Sequence, residues 1–403
     1  MERRKGESCI VDELEAFVEG HPMVRALVDA PCKSVDELLP VADAGTERGA
    51  EEGAADTKSN GHVQDASRPP AQAAAKHEEM TSSDYYFESY AHFGIHEEML
   101  KDEVRTRTYM EAIVSNAHLF KNKVVLDVGC GTGILSMFAV RAGAKEVYAV
   151  EMSSIADYAR KIFKENNMDS SITLFQGKME EVQLPSKVDI IISEWMGYFL
   201  FYESMMDSLL FARDQWLAPG GLIFPDVCNL YLCAIEDAQY RSEKIDFWDN
   251  VYGFRMGCIK DVALLEPLVD FVPSAQVCSN PQAVLSVNLY EMQKHQAAFS
   301  VPFELEVFRN DYVHAIVAYF DVQFTHCLRP VGFETGPFAR GTHWKQTVFY
   351  LDESLAMAQG DKLRGSLACR PNKKNPRDLD IAIDYSMEGE HMQVSSCMRY
   401  RLR

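Results

Sequence analysis

The sequence lacks the signatures of metal coordination and of disulfide stapling. Its ten cysteines, at positions 9, 32, 130, 228, 233, 258, 278, 327, 369 and 397, are scattered with no CxxC and no paired His/Cys ligand spacing. Reduced thiols and no resident metal are expected. No apolar run approaches the roughly 20 residues of a membrane span. The N-terminus, Met1-Glu2-Arg3-Arg4-Lys5-Gly6, leads into no apolar signal core, and Glu2 precludes myristoylation. A soluble intracellular protein without a membrane partner is expected. Basic charge is also scarce: 40 Lys and Arg against 60 Asp and Glu leave a net charge of −20. Such a chain attracts cationic partners and is a poor candidate for coating nucleic acid.

What is present is ordinary globular composition, 47% hydrophobic and 11% aromatic over 403 residues, enough for two domains. Residues 41–84 contain ten alanines, no aromatic residue, and only Val41, Val63 and Met80 from the larger aliphatic set. They cannot bury enough surface to fold and read as a disordered linker. Ahead of it, Ile10, Leu14, Phe17 and Val18 recur at helical spacing within 9–19, a marginal short helix. Residues 1–84 are thus expected to be a mostly disordered N-terminal extension, carrying 9 basic and 18 acidic groups.

From Tyr85 the pattern changes. Residues 93–116 read as one helix, followed by short buried strands at 124–128, 146–150, 172–175 and 188–193 with helices at 134–142 and 155–167 between them. Alternation of this kind specifies a covered parallel sheet, a Rossmann-like α/β domain over 85–225. After Pro225 strand-like alternation takes over, at 229–235, 285–290, 303–308, 314–324, 347–351, 379–385 and 392–401, describing a β-sandwich or barrel over 226–403. A helical stretch at about 236–272, with Tyr240, Phe247, Trp248, Tyr252 and Phe254, reads as an inserted arm.

Two loops carry chemistry. Val124-Val-Leu-Asp-Val-Gly-Cys-Gly-Thr-Gly133 is a buried strand entering a glycine-rich turn, as a nucleotide-like ligand requires. Ile134 follows Gly133 directly, so the third glycine of a dinucleotide fingerprint is absent. Asp127 would repel pyrophosphate but suit an ammonium group, and Glu151 at the next strand end can accept from both ribose hydroxyls. Those demands match S-adenosyl-L-methionine. The second loop, Glu194-Trp-Met-Gly-Tyr-Phe-Leu-Phe-Tyr-Glu203, sets two carboxylates around an aromatic turn on the same sheet edge. Paired carboxylates suit a planar, five-donor guanidinium. They also suit glycoside hydrolysis, the poorer reading beside an adenosylmethionine loop.

With Tyr86-Phe-Glu-Ser-Tyr90, Ile95-His-Glu-Glu-Met99 and Thr342-His-Trp344, these loops resemble the protein arginine N-methyltransferases of type I, from about Tyr85 to Arg403. The resemblance implies a Rossmann-like methyltransferase domain, a β-barrel and a helical dimerisation arm. It implies that His96, Arg105, Asp127, Gly129, Gly131, Thr132, Glu151, Met152 and Glu180 line the cofactor site, with Arg105 on the methionine carboxylate and Glu180 near the adenine amino group. Glu194, Glu203 and His343 would be catalytic, His343 being linked to Asp102. Tyr90, Met99, Asp102, Met205 and Trp344 would shape substrate and product. The product cofactor would be S-adenosyl-L-homocysteine (AdoHcy). Implied partners are arginine-containing substrates, Arg/Gly-rich proteins and histone tails, and a second copy in a homodimer or higher oligomer, in the cytoplasm and nucleus. The released proton goes to one of the glutamates or to the His343–Asp102 pair. A non-catalytic adaptor for Arg/Gly-rich proteins is the alternative that the two loops argue against. One departure stands out: Gly341 replaces an aromatic residue that such enzymes carry before Thr342.

Overall fold

The structure, a computed structural model, describes residues 33–40 and 90–403. The expectations for 9–19, 41–84 and 85–89 lie outside the described residues. Within the extension, the described residues form α1 (Val35–Leu38). A reciprocal capping box between Ser34 and Glu37 satisfies its first N–H groups. Leu38 and Leu39 are buried against Ala368 and Ala382 of the C-terminal domain. Arg370 and Arg399 donate to the carbonyls of Leu39 and Leu38 at 2.5 and 3.1 Å. Four helical residues are too few to show a period, so only the capping box was readable.

The expected single helix at 93–116 is broken. α2 (Phe93–Lys101) and α3 (Glu103–Val114) meet at Asp102, whose ψ of 93° leaves the helical region and whose side chain caps α3 through Arg105 N–H. After α4 (Ala117–Phe120) the α/β domain runs β1 (Val124–Val128), α5 (Ile134–Arg141), β2 (Glu146–Glu151), α6 (Ala156–Glu165), β3 (Ile172–Gln176), β4 (Val188–Ile192), α7 (Met206–Trp216) and β5 (Leu217–Phe224). The sheet order is β3-β2-β1-β4-β5, all parallel. Because β2 and β4 flank β1, connections leave in opposite directions there, opening a crevice at the strand C-termini. Both loops singled out above emerge at that edge.

The second domain begins with β6 (Val227–Ile235), then the arm with α8 (Ala238–Tyr240), π and 3₁₀ turns to Asp249, and α9 (Gly257–Leu265). It continues as β7 (Leu268–Asp270), β8 (Gln282–Asn288), β9 (Phe299–Glu306), β10 (Asp311–Gln323), β11 (Gly332–Glu334), β12 (Gln346–Met357), β13 (Lys362–Pro371), β14 (Leu379–Glu388) and β15 (Gln393–Leu402). Two antiparallel sheets, β7-β12-β10-β6-β8 with β11 beside β10, and β15-β14-β13-β9, form the barrel. One apolar core runs through both domains. Phe324 of the barrel meets Tyr109 of α3 edge-on at 5.0 Å and Phe224 of β5 at 5.9 Å. A core shared in this way fixes the barrel over the crevice rather than tethering it loosely.

Candidate active site

A cavity of about 550 Å³ lies at the β1, β2 and β4 ends, closed on one side by α2 and α3 and on the other by the barrel. Its floor is the glycine turn, where Gly129, Gly131 and Gly133 have φ of 74°, 54° and 87°, a backbone that side chains disfavour. Glu151 anchors it: Oε2 accepts from Gly131 N–H at 2.9 Å and Oε1 from Ser153 N–H at 2.8 Å. Each oxygen keeps a second lone pair for a hydroxyl. Thr132, Met152 and the exposed Glu180 line the wall, Glu180 accepting from Ser208 at 2.7 Å. His96 is buried and bonds through Nε2 to the Tyr90 carbonyl at 2.8 Å, so α2 closes over Gly131. Met99 and Met205 face the same space, the Met205 thioether resting on Gly129.

Asp127 is placed differently from the expectation that it lines the site. It is fully buried behind the wall, with Ser136 donating to Oδ2 at 2.6 Å. Oδ1 is buried with no hydrogen-bond partner among the described residues. Burial pushes its carboxyl up to about 6, partly offset by Ser136. An orphaned buried carboxylate oxygen behind a glycine turn is a site for positive charge, which fits the ammonium of S-adenosylmethionine. Ionised Asp127 attracts that ammonium and protonated Asp127 does not. AdoHcy affinity is therefore expected to be level above pH 7 and to weaken by up to about tenfold towards pH 5. Calorimetry across that range checks this, and Asp127→Asn should bind more weakly at pH 7.5 with the pH dependence flattened.

The double-glutamate loop is a tight hairpin. Phe199 and Leu200 both have left-handed backbones, φ 54° and 67°, as does Glu203 at 53°. Bulky residues there are strained. Burial holds them: Phe199 packs edge-on against Phe349 at 5.6 Å, Phe201 against Phe299 at 5.5 Å, and Leu200 is fully enclosed. The apolar tip is thus plugged into the barrel, and both glutamates return to the cavity. Glu194 Oε2 accepts from Arg105 Nε and Nη2 at 3.0 and 2.9 Å, with both side chains almost wholly buried. Burial pushes the Glu194 and Glu203 carboxyls up, opposed by Arg105 at Glu194 and by Arg377 at Glu203. Arg105, expected on a methionine carboxylate, is thus first a partner of Glu194.

The barrel contributes His343 and Trp344. His343 Nδ1 and backbone N–H both meet Asp102 Oδ2, at 2.8 and 2.9 Å, while Oδ1 caps α3. Asp102 therefore ties α3 to the barrel and, contrary to the expectation that it shapes the substrate space, is not among the residues lining the cavity. Its carboxyl lies below the usual range: burial raises it, but the His343 and Arg105 bonds outweigh this. Trp344 is buried, stacks on Phe333 at 5.5 Å and donates from Nε1 to the Met196 carbonyl at 3.1 Å. It fastens the hairpin to the barrel as much as it walls the slot. Beside Gly341, a Cβ would meet the Phe271 ring at 2.7 Å, so Phe271 fills the space next to this residue. Two residues escaped the sequence reading. Tyr109 donates to the Ser193 carbonyl at 3.0 Å, holding the β4 end. The Arg377 carbonyl, on a barrel turn, accepts from Glu203 N–H at 3.4 Å. Nothing local in the sequence marks either.

Residues 226–390 match the arginine methyltransferase oligomerization subdomain and residues 125–221 a methyltransferase domain. The chain is 60% identical over 324 residues to protein arginine N-methyltransferase 1 of Chlamydomonas reinhardtii, covering 80% of this chain and 94% of that protein. It is 55% identical over 327 residues to protein arginine N-methyltransferase 8-B of Danio rerio, covering 81% and 78%. Among solved structures, it is similar to the Trypanosoma brucei protein arginine methyltransferase 1 enzyme–prozyme heterotetramer with AdoHcy. There the TM-score is 0.77 and the identity 46%, covering 78% of this chain and all of that one. Arabidopsis thaliana protein arginine methyltransferase 10 aligns with TM-score 0.73 and 30% identity, covering 79% and 100%.

Proposed function

The chain belongs to the protein arginine N-methyltransferase family, and from that premise we propose a type I enzyme that forms monomethyl and then asymmetric dimethylarginine on Arg/Gly-rich proteins and histone tails of the cytoplasm and nucleus. It is an S-adenosylmethionine-dependent arginine methyltransferase, and the observation that carries the mechanism is the hairpin presenting Glu194 and Glu203 to one cavity. When bound, the cofactor supplies an electrophilic sulfonium methyl. Glu151, the glycine turn and Asp127 would hold its ribose and ammonium ends.

Glu194 and Glu203 bind the substrate guanidinium, draw its positive charge away from one terminal nitrogen and fix that nitrogen's direction. Arg105 keeps Glu194 ionised despite burial, since an opposite charge in contact favours the charged form. The guanidinium cannot lose its proton in advance at neutral pH, so proton loss accompanies or follows transfer. With His343 Nδ1 engaged by Asp102, Nε2 is the nitrogen left to accept it. The exposed arm side chains Phe247, Tyr252, Phe254 and Val262 support a homodimer in which the arm covers a second copy.

The test is mass spectrometry of an Arg/Gly-rich peptide incubated with the protein and S-adenosylmethionine, with fragmentation to distinguish dimethylarginine isomers. Asymmetric product is expected. Symmetric product would refute the type I assignment, and saturable AdoHcy binding without methylation would refute the substrate class.

A further inference from the structure

Residues 33–40 lie across the face of the β15-β14-β13-β9 sheet that points away from the barrel core. On that face Ser300, Ala368, Ala382 and Arg399 form one row of cross-strand partners, one from each strand. The two alanines make a shallow apolar floor, with Arg370 on β13 and Asp380 and Asp384 on β14 sharing the face at two-residue spacing. Leu38 and Leu39 cover the floor so fully that neither alanine keeps any exposure. Polar contacts then reach every strand. Ser300 Oγ on β9 donates to the Lys33 carbonyl at 2.5 Å, and Arg370 Nη1 on β13 to the Leu39 carbonyl at 2.5 Å. Lys33 Nζ pairs with Asp384 Oδ1 on β14 at 2.6 Å, and Arg399 Nε on β15 donates to the Leu38 carbonyl at 3.1 Å. Carbonyls at a helix end have no partner within the helix, so the two arginines complete α1 from the sheet.

Two of these strands run straight into the active site. Pro371 follows Arg370, Leu379 precedes Asp380, and both line the catalytic cavity with Pro376 and Arg377 of the intervening turn. Arg370 Nε and Asp380 Oδ2 stand 3.7 Å apart across the two strands, and Asp380 Oδ1 accepts from Asn372 Nδ2 at 2.8 Å. Asn372 Oδ1 in turn accepts from Lys374 and Asn375 N–H at 2.9 and 3.1 Å, which shapes the turn. A contiguous run of bonded groups thus joins the Leu39 carbonyl to the cavity wall, although residues 33–40 line no part of the cavity themselves. Taking the arginine-methylating reading as given, we propose that residues 33–40 are a strap that braces β13 and β14 from outside and holds their turn in place as the barrel wall of the substrate slot. The strap acts on substrate only through the turn. The cofactor floor, held by Glu151 at the β2 end, shares none of these contacts.

The experiment compares the full-length wild type with Leu38→Asp/Leu39→Asp, which releases the strap, and with Ala382→Gln, which fills its floor. Each is read by hydrogen exchange of the turn amides in 372–378, by KM and kcat for an Arg/Gly peptide at saturating S-adenosylmethionine, and by AdoHcy calorimetry. Both variants should speed exchange in the turn by about tenfold and raise KM several-fold, with kcat and AdoHcy affinity close to wild type. Leu39→Met, which keeps the floor covered, should match wild type. The combined variant should be no worse than either parent, because both remove the same contact. Unmoved exchange in the turn, or unmoved KM, in Leu38→Asp/Leu39→Asp overturns the proposal. So do effects that add in the combined variant, and so does a loss of kcat or AdoHcy affinity as large as the rise in KM, which marks general loosening. If Ala382→Gln does not fold, Leu38→Asp/Leu39→Asp decides, since it alters no barrel residue. A wild type that methylates no peptide fails the parent reading, whereas an active wild type whose released variant keeps its KM fails this inference alone.

Discussion

Glu194→Gln is expected to lower kcat by about 10²- to 10³-fold, the scale on which removal of one preorganised electrostatic contact acts. It should also lower stability. The charge lost is the partner of Arg105, whose guanidinium donates twice to Glu194 Oε2 from a side chain only 7% exposed. Breaking a buried pair by neutralising one member leaves the other charge uncompensated, at about 3–5 kcal/mol when nothing replaces it. The glutamine carbonyl still accepts one bond, so a loss of about 2–3 kcal/mol is expected. Steady-state kinetics and thermal unfolding with and without AdoHcy separate the two effects. Were Glu194 only a structural partner of Arg105, unfolding would shift while kcat at saturating peptide stayed within a few-fold of wild type. A catalytic Glu194 moves both, and the kcat loss persists at temperatures where the variant is fully folded.

How much of this was legible in the sequence depends on the range of the interaction. The glycine turn and β1 read correctly because a buried strand ending in three closely spaced glycines carries its signal within ten residues. The double-glutamate hairpin read for the same reason. The helix break at Asp102 did not, since the residues on either side form helix readily and the reason for the break, His343, lies 241 positions away. Strand β13 was missed because Gly365 interrupts its apolar pattern, yet a Cβ there would stand 1.9 Å from the Asp384 carbonyl oxygen of the neighbouring strand. Close backbone approach demanded a residue that weakens the strand signal. Arg377 sits in an Asn- and Pro-containing turn that announces only a turn. That the turn lies over Glu203 is a property of domain docking, to which no local pattern refers.

Gly197→Ala is expected to abolish methyl transfer almost as thoroughly as loss of a glutamate, while leaving the cofactor half of the site intact. Gly197 N–H donates to the Leu200 carbonyl at 3.0 Å, and Tyr198 and Tyr202 pair across the hairpin with rings stacked at 6.3 Å. A Cβ at Gly197 would lie 1.6 Å from the Tyr202 carbonyl oxygen and 2.7 Å from its carbon. Both are backbone atoms of the facing strand, so no side-chain rotation relieves the clash and the hairpin must open. Opening it cannot be absorbed at the tip, because Phe199, Leu200 and Phe201 are sealed in the barrel. The displacement therefore falls on the stretch running to Glu203, one residue beyond the clash. A misplacement of about 1 Å at a positioned group costs about 10²-fold in rate. Overpacking of this kind costs about 1–3 kcal/mol in stability. The glycine turn, Glu151 and His96 lie on other elements, so AdoHcy affinity measured by calorimetry should stay within a few-fold of wild type. Full activity in Gly197→Ala would mean that the hairpin opens without moving Glu203, and the two carboxylates would then not need the fixed separation that a shared grip on one guanidinium requires.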